Sequence, residues 1–244
     1  MPDKRTHRGP HPADAKLFAP AAITDLTSAL ADFSLLLTKG YAEKSALKLV
    51  GDRFTLTQRQ RLAIMRSACS GKQLTSRKQS QVKIADLTGK GLAVDGYNVL
   101  ITVEAAMSGA VIFKGRDGCF RDLASIHGTY RKVTETIPAV ELIGGFLNEI
   151  GVVSALWLLD SPVSNSGRLK TLIGELARKN SWDWEIELLT SPDAKLINTE
   201  LVVASGDSVI LDNCKSWVNL ARAIIEKKLP AAWLVDLSGP PNAK

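Results

Sequence analysis

This 244-residue sequence has few cysteines and few long apolar runs. Its cysteines are few, odd in number and far apart, which argues against a disulfide framework or a cysteine-based zinc site and fits a reducing cytoplasm; they are Cys69, Cys119 and Cys214. The N-terminus is polar with no apolar segment behind it, and no apolar run approaches the length of a membrane span. The composition therefore predicts a soluble cytoplasmic protein with no membrane partner.

Acidic residues are scarce in one part of the chain. Between Arg53 and Lys90, nine basic residues accompany one acid, Asp86, and residues 1–90 together carry a net charge of +9. Residues 91–244 carry −3, so the whole chain carries +6. This asymmetry predicts a surface for nucleic acid beside an acidic half, although a solvated basic helix face has the same composition.

The N-terminal part has the pattern of a small helical module. Apolar residues recur at helical spacing over 23–37, a second short helix is expected at 46–50, and Thr57 is expected to cap a third. Helix, short turn and basic helix outline a helix-turn-helix, an outline that many modules share without contacting DNA. Residues 70–83 are polar without periodicity and are predicted to be a linker. The candidate nucleic-acid contacts on the third helix are Arg59, Arg61 and Arg66.

Three aspartates follow apolar runs that are typical of buried parallel strands. They are Asp95, Asp160 and Asp207, the last separated from its strand by a Ser-Gly turn. At the carboxyl ends of parallel strands these side chains would meet at one sheet edge, where like charges repel unless a cation or a shared proton pairs them. Hard divalent ions such as Mg²⁺ take carboxylate oxygens. The alternative for Asp95 is that it only caps the following helix.

Strand and helix patterns alternate through the second half of the chain. They predict an α/β fold with a doubly wound parallel sheet and flanking helices. Besides the strands before the three aspartates, strands are expected at 184–189 and 231–235, and a hairpin at 109–122. An amphipathic helix is expected over 136–150, and Trp217 is expected to begin a later one.

Two segments combine polar and cationic residues that suit a phosphodiester substrate. The segment 125–132 holds a histidine, an aromatic ring and two cations, a mix suited to phosphate contact and base stacking. The polar loop after Asp160 opens a helix whose exposed amides suit an anion. The alternative is that the histidine and tyrosine of the first segment merely pack there. The candidate substrate-binding residues of this half are Arg121, His127, Tyr130, Arg131, Asn165 and Arg168.

The motif Val94-Asp-Gly-Tyr-Asn-Val-Leu-Ile101 resembles the first motif of PIN-like nucleases, especially of the NYN branch. Asp160 resembles the second acidic position of that family, and Ser205-Gly-Asp207-Ser resembles its Ser/Thr-x-Asp motif. The resemblance spans about residues 90–240 and implies a ribonuclease that depends on Mg²⁺ or Mn²⁺. It further implies a catalytic metal site made of Asp95, Asp160 and Asp207, with Asn98 as a positioning residue and Asp212 or Glu104 as a fourth acid.

The whole chain also resembles an uncharacterised prokaryotic family in which a domain of unknown function 434 is fused to such a PIN-like domain; the segments 39–41, 45–53 and 164–168 carry this likeness. The predicted domains are a basic helical module at 1–80 and a PIN-like domain at 88–244. The expected function is a metal-dependent endoribonuclease whose helical module holds RNA. The alternative is a non-catalytic RNA- or DNA-binding or regulatory protein. A phosphohydrolase with an aspartate nucleophile is disfavoured, because the second aspartate such enzymes carry two residues on is absent.

Overall fold

The computed structural model describes residues 7–124 and 130–239, which form an α/β protein with two sheets. Its strands are β1 (Gly91–Asp95), β2 (Ile112–Lys114), β3 (Phe120–Arg121), β4 (Ser154–Asp160), β5 (Trp184–Leu189), β6 (Val202–Ala204), β7 (Trp217–Val218) and β8 (Leu234–Asp236). Its α-helices are α1 (Asp14–Leu17), α2 (Pro20–Thr38), α3 (Glu43–Arg53), α4 (Gln58–Ser67), α5 (Gly71–Ser80), α6 (Gly96–Met107), α7 (Thr136–Glu149), α8 (Ser166–Lys179), α9 (Pro192–Asn198), α10 (Ser208–Asn213) and α11 (Leu220–Lys228). A short 3₁₀ helix spans Ile84–Leu87.

The larger sheet has five parallel strands in the order β5-β4-β1-β6-β7. In its central strand, Leu92 and Val94 join the apolar core with α6, α7, α8 and α11, while Ala93 joins the core with α9 and α10. All three side chains are fully buried, so both faces of this strand are covered. An unbroken apolar run is what such a position requires. The predicted parallel sheet with flanking helices is confirmed.

The direction of winding changes beside the central strand. From β1 the chain moves to β4 and then β5 on one side, and afterwards to β6 and β7 on the other. Open α/β sheets bind ligands beyond the carboxyl ends of the strands at such a reversal. The carboxyl ends of β1, β4 and β6 therefore lie together where a ligand site is expected.

The smaller sheet has the order β3-β2-β8. Strands β2 and β3 form the hairpin predicted at 109–122, and Gly118 takes the positive φ of 80° that its turn requires. The final strand, expected within 231–235, is Leu234–Asp236, and it pairs in parallel with β2. It therefore belongs to the smaller sheet, a pairing that local sequence does not encode.

Trp217 lies in the edge strand β7 rather than at the start of a helix. Its side chain is fully buried with Ile210 and Leu211 of α10, and its indole Nε1 donates a hydrogen bond of 2.8 Å to the carbonyl oxygen of Arg77. The helix α11 begins at Leu220. The apolar spacing of residues 217, 220 and 224 is typical of a helix. The pairing of β7 with β6 instead gives Trp217 an extended conformation.

The predicted linker at 70–83 is wrong, because most of it forms helix α5. Ser70 and Gln73 build a capping box at the start of this helix. Its buried side chain is that of Arg77, which forms ion pairs with Asp117 at 2.5 Å and Asp212 at 2.7 Å. A helix held by a buried guanidinium group lacks the apolar stripe that a sequence pattern detects.

The helical module and the smaller sheet share one apolar core. Leu26 and Phe33 of α2 and Ile64 of α4 pack in the same cluster as Phe113 of β2 and Val235 of β8. Phe18 meets Phe113 edge to face, with ring centroids 4.8 Å apart. The smaller sheet thus belongs to the core of the module as much as to the α/β part.

Helix α2 is the one helix, within the described residues, long and apolar enough to cross a membrane by length and composition. The sequence expectation of no such run is therefore corrected. Leu26, Ala29, Leu30 and Phe33 of this helix are buried against the rest of the module. A core helix of a folded domain has such a face and passes the same test, so the helix is weak support for a membrane span.

Replacing Arg77 by leucine is expected to destabilise the protein by about 3 kcal/mol, because the buried carboxylate of Asp117 loses one of its two cationic partners. Urea unfolding of the two proteins measures the difference. The matched control is Lys78→Leu, at the exposed neighbouring position of the same helix, which is expected to change the stability by less than about 0.5 kcal/mol. Equal stabilities of Arg77→Leu and the wild type would contradict this account of α5.

Candidate functional site

Five aspartates line one cavity of about 340 Å³; one of them, Asp122 after β3, forms an ion pair with Arg66 at 3.7 Å, and the other four lie at the carboxyl ends of the parallel strands. Asp95 ends β1, Asp160 ends β4, and Asp207 follows β6 at the start of α10. The fourth, Asp193, lies in the first turn of α9, directly after β5. The structure thus brings together the three sequence-predicted carboxylates and adds one that sequence reasoning missed.

The missed residue left a weak signal. Asp193 sits in Ser191-Pro-Asp193, just beyond the predicted strand 184–189, and the other three also follow predicted strands. The proline that precedes it begins a helix, so the aspartate also has the ordinary explanation of a residue in a helical first turn. A search for every carboxylate within a few residues of a strand end would have included it.

Glycine follows Asp95 because the start of α6 passes very close to β4. A Cβ atom at Gly96 would lie 2.9 Å from the carbonyl oxygen of Leu158 and 2.5 Å from a methyl carbon of Leu159. A larger residue would push α6 away from the sheet. The close approach keeps Tyr97 and Asn98, which also line the cavity, beside the carboxylate of Asp95.

The loop after β6 is tied to the Asp95 side of the cavity by side-chain hydrogen bonds. The Ser205 hydroxyl donates to Oδ2 of Asp95 at 2.6 Å and accepts from the amide of Asp207 at 2.9 Å. The amide of Gly206 donates to Oδ1 of Asn98 at 2.7 Å. Asn98 therefore fixes the loop that carries Asp207.

The capping alternative applies to one of the aspartates. Asp207 accepts hydrogen bonds from the amides of Val209 at 2.8 Å and Ile210 at 3.3 Å, so it both caps α10 and lines the cavity. Asp95 occupies the N-cap position of α6 without a capping hydrogen bond from its side chain. The alternative that Asp95 only caps the following helix therefore does not account for the position of its carboxylate.

The four carboxylates form no ion pair with any described residue, and their charges act on one another. Burial raises the pKa of Asp95 from 3.8 to about 7; the Ser205 hydrogen bond opposes this rise, and the charges of Asp207 and Asp193 add to it. Burial and the charge of Asp193 raise the pKa of Asp160, and burial and the charge of Asp207 raise that of Asp193. The cavity is therefore a place where a cation would be stabilised.

Arg121 lines the cavity but its guanidinium group is already engaged. Its Nε donates to the carbonyl oxygen of Gly206 at 2.7 Å, and its two terminal nitrogens donate to the carboxylate of Asp117 at 2.9 and 2.7 Å. Although burial opposes ionisation, the guanidinium groups of Arg121 and Arg77 hold the pKa of Asp117 well below its usual range. This arginine supports the loop before Asp207, which differs from the substrate contact predicted for it.

The arginines predicted to contact nucleic acid are largely paired within the module. Arg59 forms an ion pair with buried Asp14, and Arg61 forms one with Asp52 at 2.8 Å. Arg66 lines the aspartate cavity, and its Nη1 donates to the carbonyl oxygen of Asp122 at 2.7 Å. Of the three, Arg66 is the one that the structure brings to the aspartates.

Neither candidate for the fourth acid lies in the aspartate cavity. Asp212 accepts from Arg77 at 2.7 Å and from Gln73 at 2.6 Å. Glu104 is fully buried in α6, where it pairs with Arg8 and accepts from the hydroxyls of Tyr130 and Thr136. Both carboxylates are thus used in contacts that hold the N-terminal residues to the α/β part.

The remaining predicted substrate contacts border a second cavity of about 580 Å³. Tyr130 and Arg131 form one side of it, and Asn165 and Arg168 form another. His127 lies outside the described residues. The structure therefore divides the predicted site into an aspartate cavity and a cationic cavity.

Comparison with known proteins places the chain in a family without an assigned activity. Residues 25–80 match "Protein of unknown function (DUF434)", and residues 84–223 match "Domain of unknown function (DUF5616)". The chain is 34% identical over 197 residues to the uncharacterized protein MJ0935 of Methanocaldococcus jannaschii, an alignment that covers 80% of this chain and 94% of that protein. No solved structure matches the chain. The chain belongs to the DUF5616 family and carries an N-terminal DUF434 domain.

Proposed function

We propose that this protein is a metal-dependent ribonuclease that cleaves RNA phosphodiester bonds with Mg²⁺ or Mn²⁺. The observation that carries the proposal is the cavity lined by Asp95, Asp160, Asp193 and Asp207, none of which has a cationic partner among the described residues. The resemblance of its Asp-Gly-Tyr-Asn motif to PIN-like nucleases of the NYN branch supports the same function. The buried free thiols of the chain accord with a reducing cytoplasm, where we propose that it acts.

The donor set fits a hard divalent ion. In the described part of the chain, no group of three or more His, Cys, Asp and Glu side chains is clustered closely enough to hold a metal ion alone. Mg²⁺ is usually held by one or two carboxylates, with waters and substrate phosphates at its other positions. We therefore expect Asp95 and Asp207, which Ser205 connects, to hold such an ion together with the substrate, with Asp160 and Asp193 adding negative charge.

The chemistry would divide between the ion and the chain. When bound, the ion would neutralise charge on the scissile phosphate and lower the pKa of a water molecule for attack. Ser205 and Asn98 would keep Asp95 and the loop of Asp207 in fixed positions. Arg66, the cation of the cavity whose described contacts leave most of its N–H groups free, would contact a phosphate oxygen.

The basic module would contribute to RNA binding through its lysines. Its arginines are largely used in internal ion pairs, as in Arg53–Asp32 and Arg59–Asp14. The exposed lysines of α5, Lys72 and Lys78, form no ion pair with the described residues. We therefore propose these lysines, in place of Arg59 and Arg61, as the electrostatic contacts to the RNA backbone.

Asp95→Asn and Asp207→Asn are expected to lower RNA cleavage at least a hundredfold and to weaken Mn²⁺ binding, because both side chains would hold the ion. Calorimetric Mn²⁺ titration and incubation with a mixed-structure RNA pool measure the two effects. The control is Asp183→Asn, an exposed acid just before β5 and thus at the opposite sheet end. RNA binding without metal binding or cleavage in the wild type would instead favour the non-catalytic alternative.

The raised pKa of Asp95 gives a second, metal-free test. The folded state favours the protonated form of Asp95. Its ionisation therefore lowers the free energy of unfolding very little near pH 4, progressively more as the pH rises, and by a constant amount above about pH 7. Asp95→Asn should therefore stabilise the metal-free protein by about 4 kcal/mol at pH 8 and by little at pH 4. Urea unfolding at the two pH values measures this difference. A gain that does not depend on pH would contradict the assignment, and Mn²⁺ should reduce the gain at pH 8.

A further inference from the structure

The second cavity has an apolar floor and a cationic rim. Leu169, Leu172 and the ring of Tyr130 supply apolar surface within a volume of about 580 Å³. Arg131 and Lys132 come from the segment before α7, and Arg168 comes from the first turn of α8. An apolar floor with charges at its edge suits a ligand that has a flat apolar part and an anionic part.

The rim of this cavity carries three cationic side chains without an ion-pair partner among the described residues. The side chains of Arg131 and Lys132 are exposed and form no ion pair with a described residue. Arg168 is also exposed, and its Nη1 lies 3.5 Å from Oδ1 of Asn165, a neutral group. Glu175 is the acid that lines the same cavity, against these three cations. The rim therefore complements a phosphate group.

The two walls of this cavity are held together by the backbone. The amide of Tyr130 donates to the carbonyl oxygen of Ser164 at 3.1 Å, and Nδ2 of Asn165 donates to the carbonyl oxygen of Tyr130 at 2.9 Å. Asn165 takes the left-handed conformation, with φ of 70°, that places its amide there. The hydroxyl of Tyr130 is fixed by Glu104 at 2.5 Å. The cavity is therefore formed before any ligand binds.

A pair of aromatic rings separates this cavity from the aspartates. Tyr97 lines the aspartate cavity and Tyr130 lines the second one, and their ring centroids are 5.3 Å apart. The buried hydroxyl of Tyr97 has no hydrogen-bond partner among the described residues, which leaves a donor for a ligand. A group bound in the second cavity would be separated from the proposed cleavage site by these two rings.

We infer that the second cavity is a subsite for one unpaired nucleotide of the RNA strand that the aspartate site cleaves. The base packs against Leu169, Leu172 and Tyr130, and its phosphate is bound by Arg131, Lys132 and Arg168. This inference rests on the proposed function and adds a substrate class to it: single-stranded RNA, since a paired base cannot enter the cavity.

The experiment uses the full chain with Asp95→Asn, which keeps the RNA intact, and a fluorescent single-stranded hexanucleotide as the probe. Adding Arg131→Ala and Arg168→Ala should weaken its binding at least tenfold, whereas adding Arg178→Ala, an exposed arginine at the end of the same helix, should not. Adding Arg168→Lys alone should retain most of the affinity, because it keeps the charge. A perfect duplex of equal length should bind without dependence on Arg131 and Arg168.

Three results would overturn the inference. One is unchanged hexanucleotide affinity after loss of Arg131 and Arg168, and another is an equal loss with Arg178→Ala. The third is inorganic phosphate or a free nucleoside monophosphate competing as well as the hexanucleotide itself, which would assign the cavity to a free anion or nucleotide. Mn²⁺ titration of the Arg131/Arg168 double variant separates the two proposals, because it should bind metal like the wild type even where RNA binding is lost.

Discussion

The buried carboxylate of Asp117 is the contact on which the arrangement of the site depends. It accepts hydrogen bonds from Arg77 of the helical module and from Arg121 of its own hairpin. Arg121 in turn donates a hydrogen bond to the carbonyl oxygen of Gly206, beside Asp207. Buried charges are tolerated only when they are paired and hydrogen-bonded, so the three groups must be placed together. The position of one proposed metal ligand is thus determined partly by a helix of the N-terminal module.

The two cavities carry side chains of opposite charge. In one, four carboxylates line the cavity without an ion-pair partner among the described residues, and burial and the charges of Asp207 and Asp193 raise the pKa of Asp95 to about 7. In the other, three unpaired cations surround an apolar floor. A polyanion with divalent ions satisfies both at once, which is why RNA with Mg²⁺ or Mn²⁺ is the ligand that we favour for the pair.

The sequence was informative where local pattern and tertiary position agree. Asp95 could be placed at the end of a buried strand because the apolar run of β1 is covered on both faces. Helix α5 was missed because a buried arginine, rather than an apolar stripe, holds it in place. Asp193 was missed because its position in a helical first turn has an ordinary explanation. The pairing of β8 with β2 could not be predicted, since the two strands are distant in sequence.

The smaller sheet has a consequence for synthesis of the chain. Helices α2 to α4 emerge from the ribosome early, but Val235 and Leu237, which cover part of their apolar face, are among the last described residues to be made. Until then Phe113 and its neighbours lack one strand of their sheet. Exposed apolar surface and unpaired strand edges favour aggregation in such intermediates. The nascent chain therefore exposes part of this apolar face, and one edge of β2, until residues 234–237 have been made.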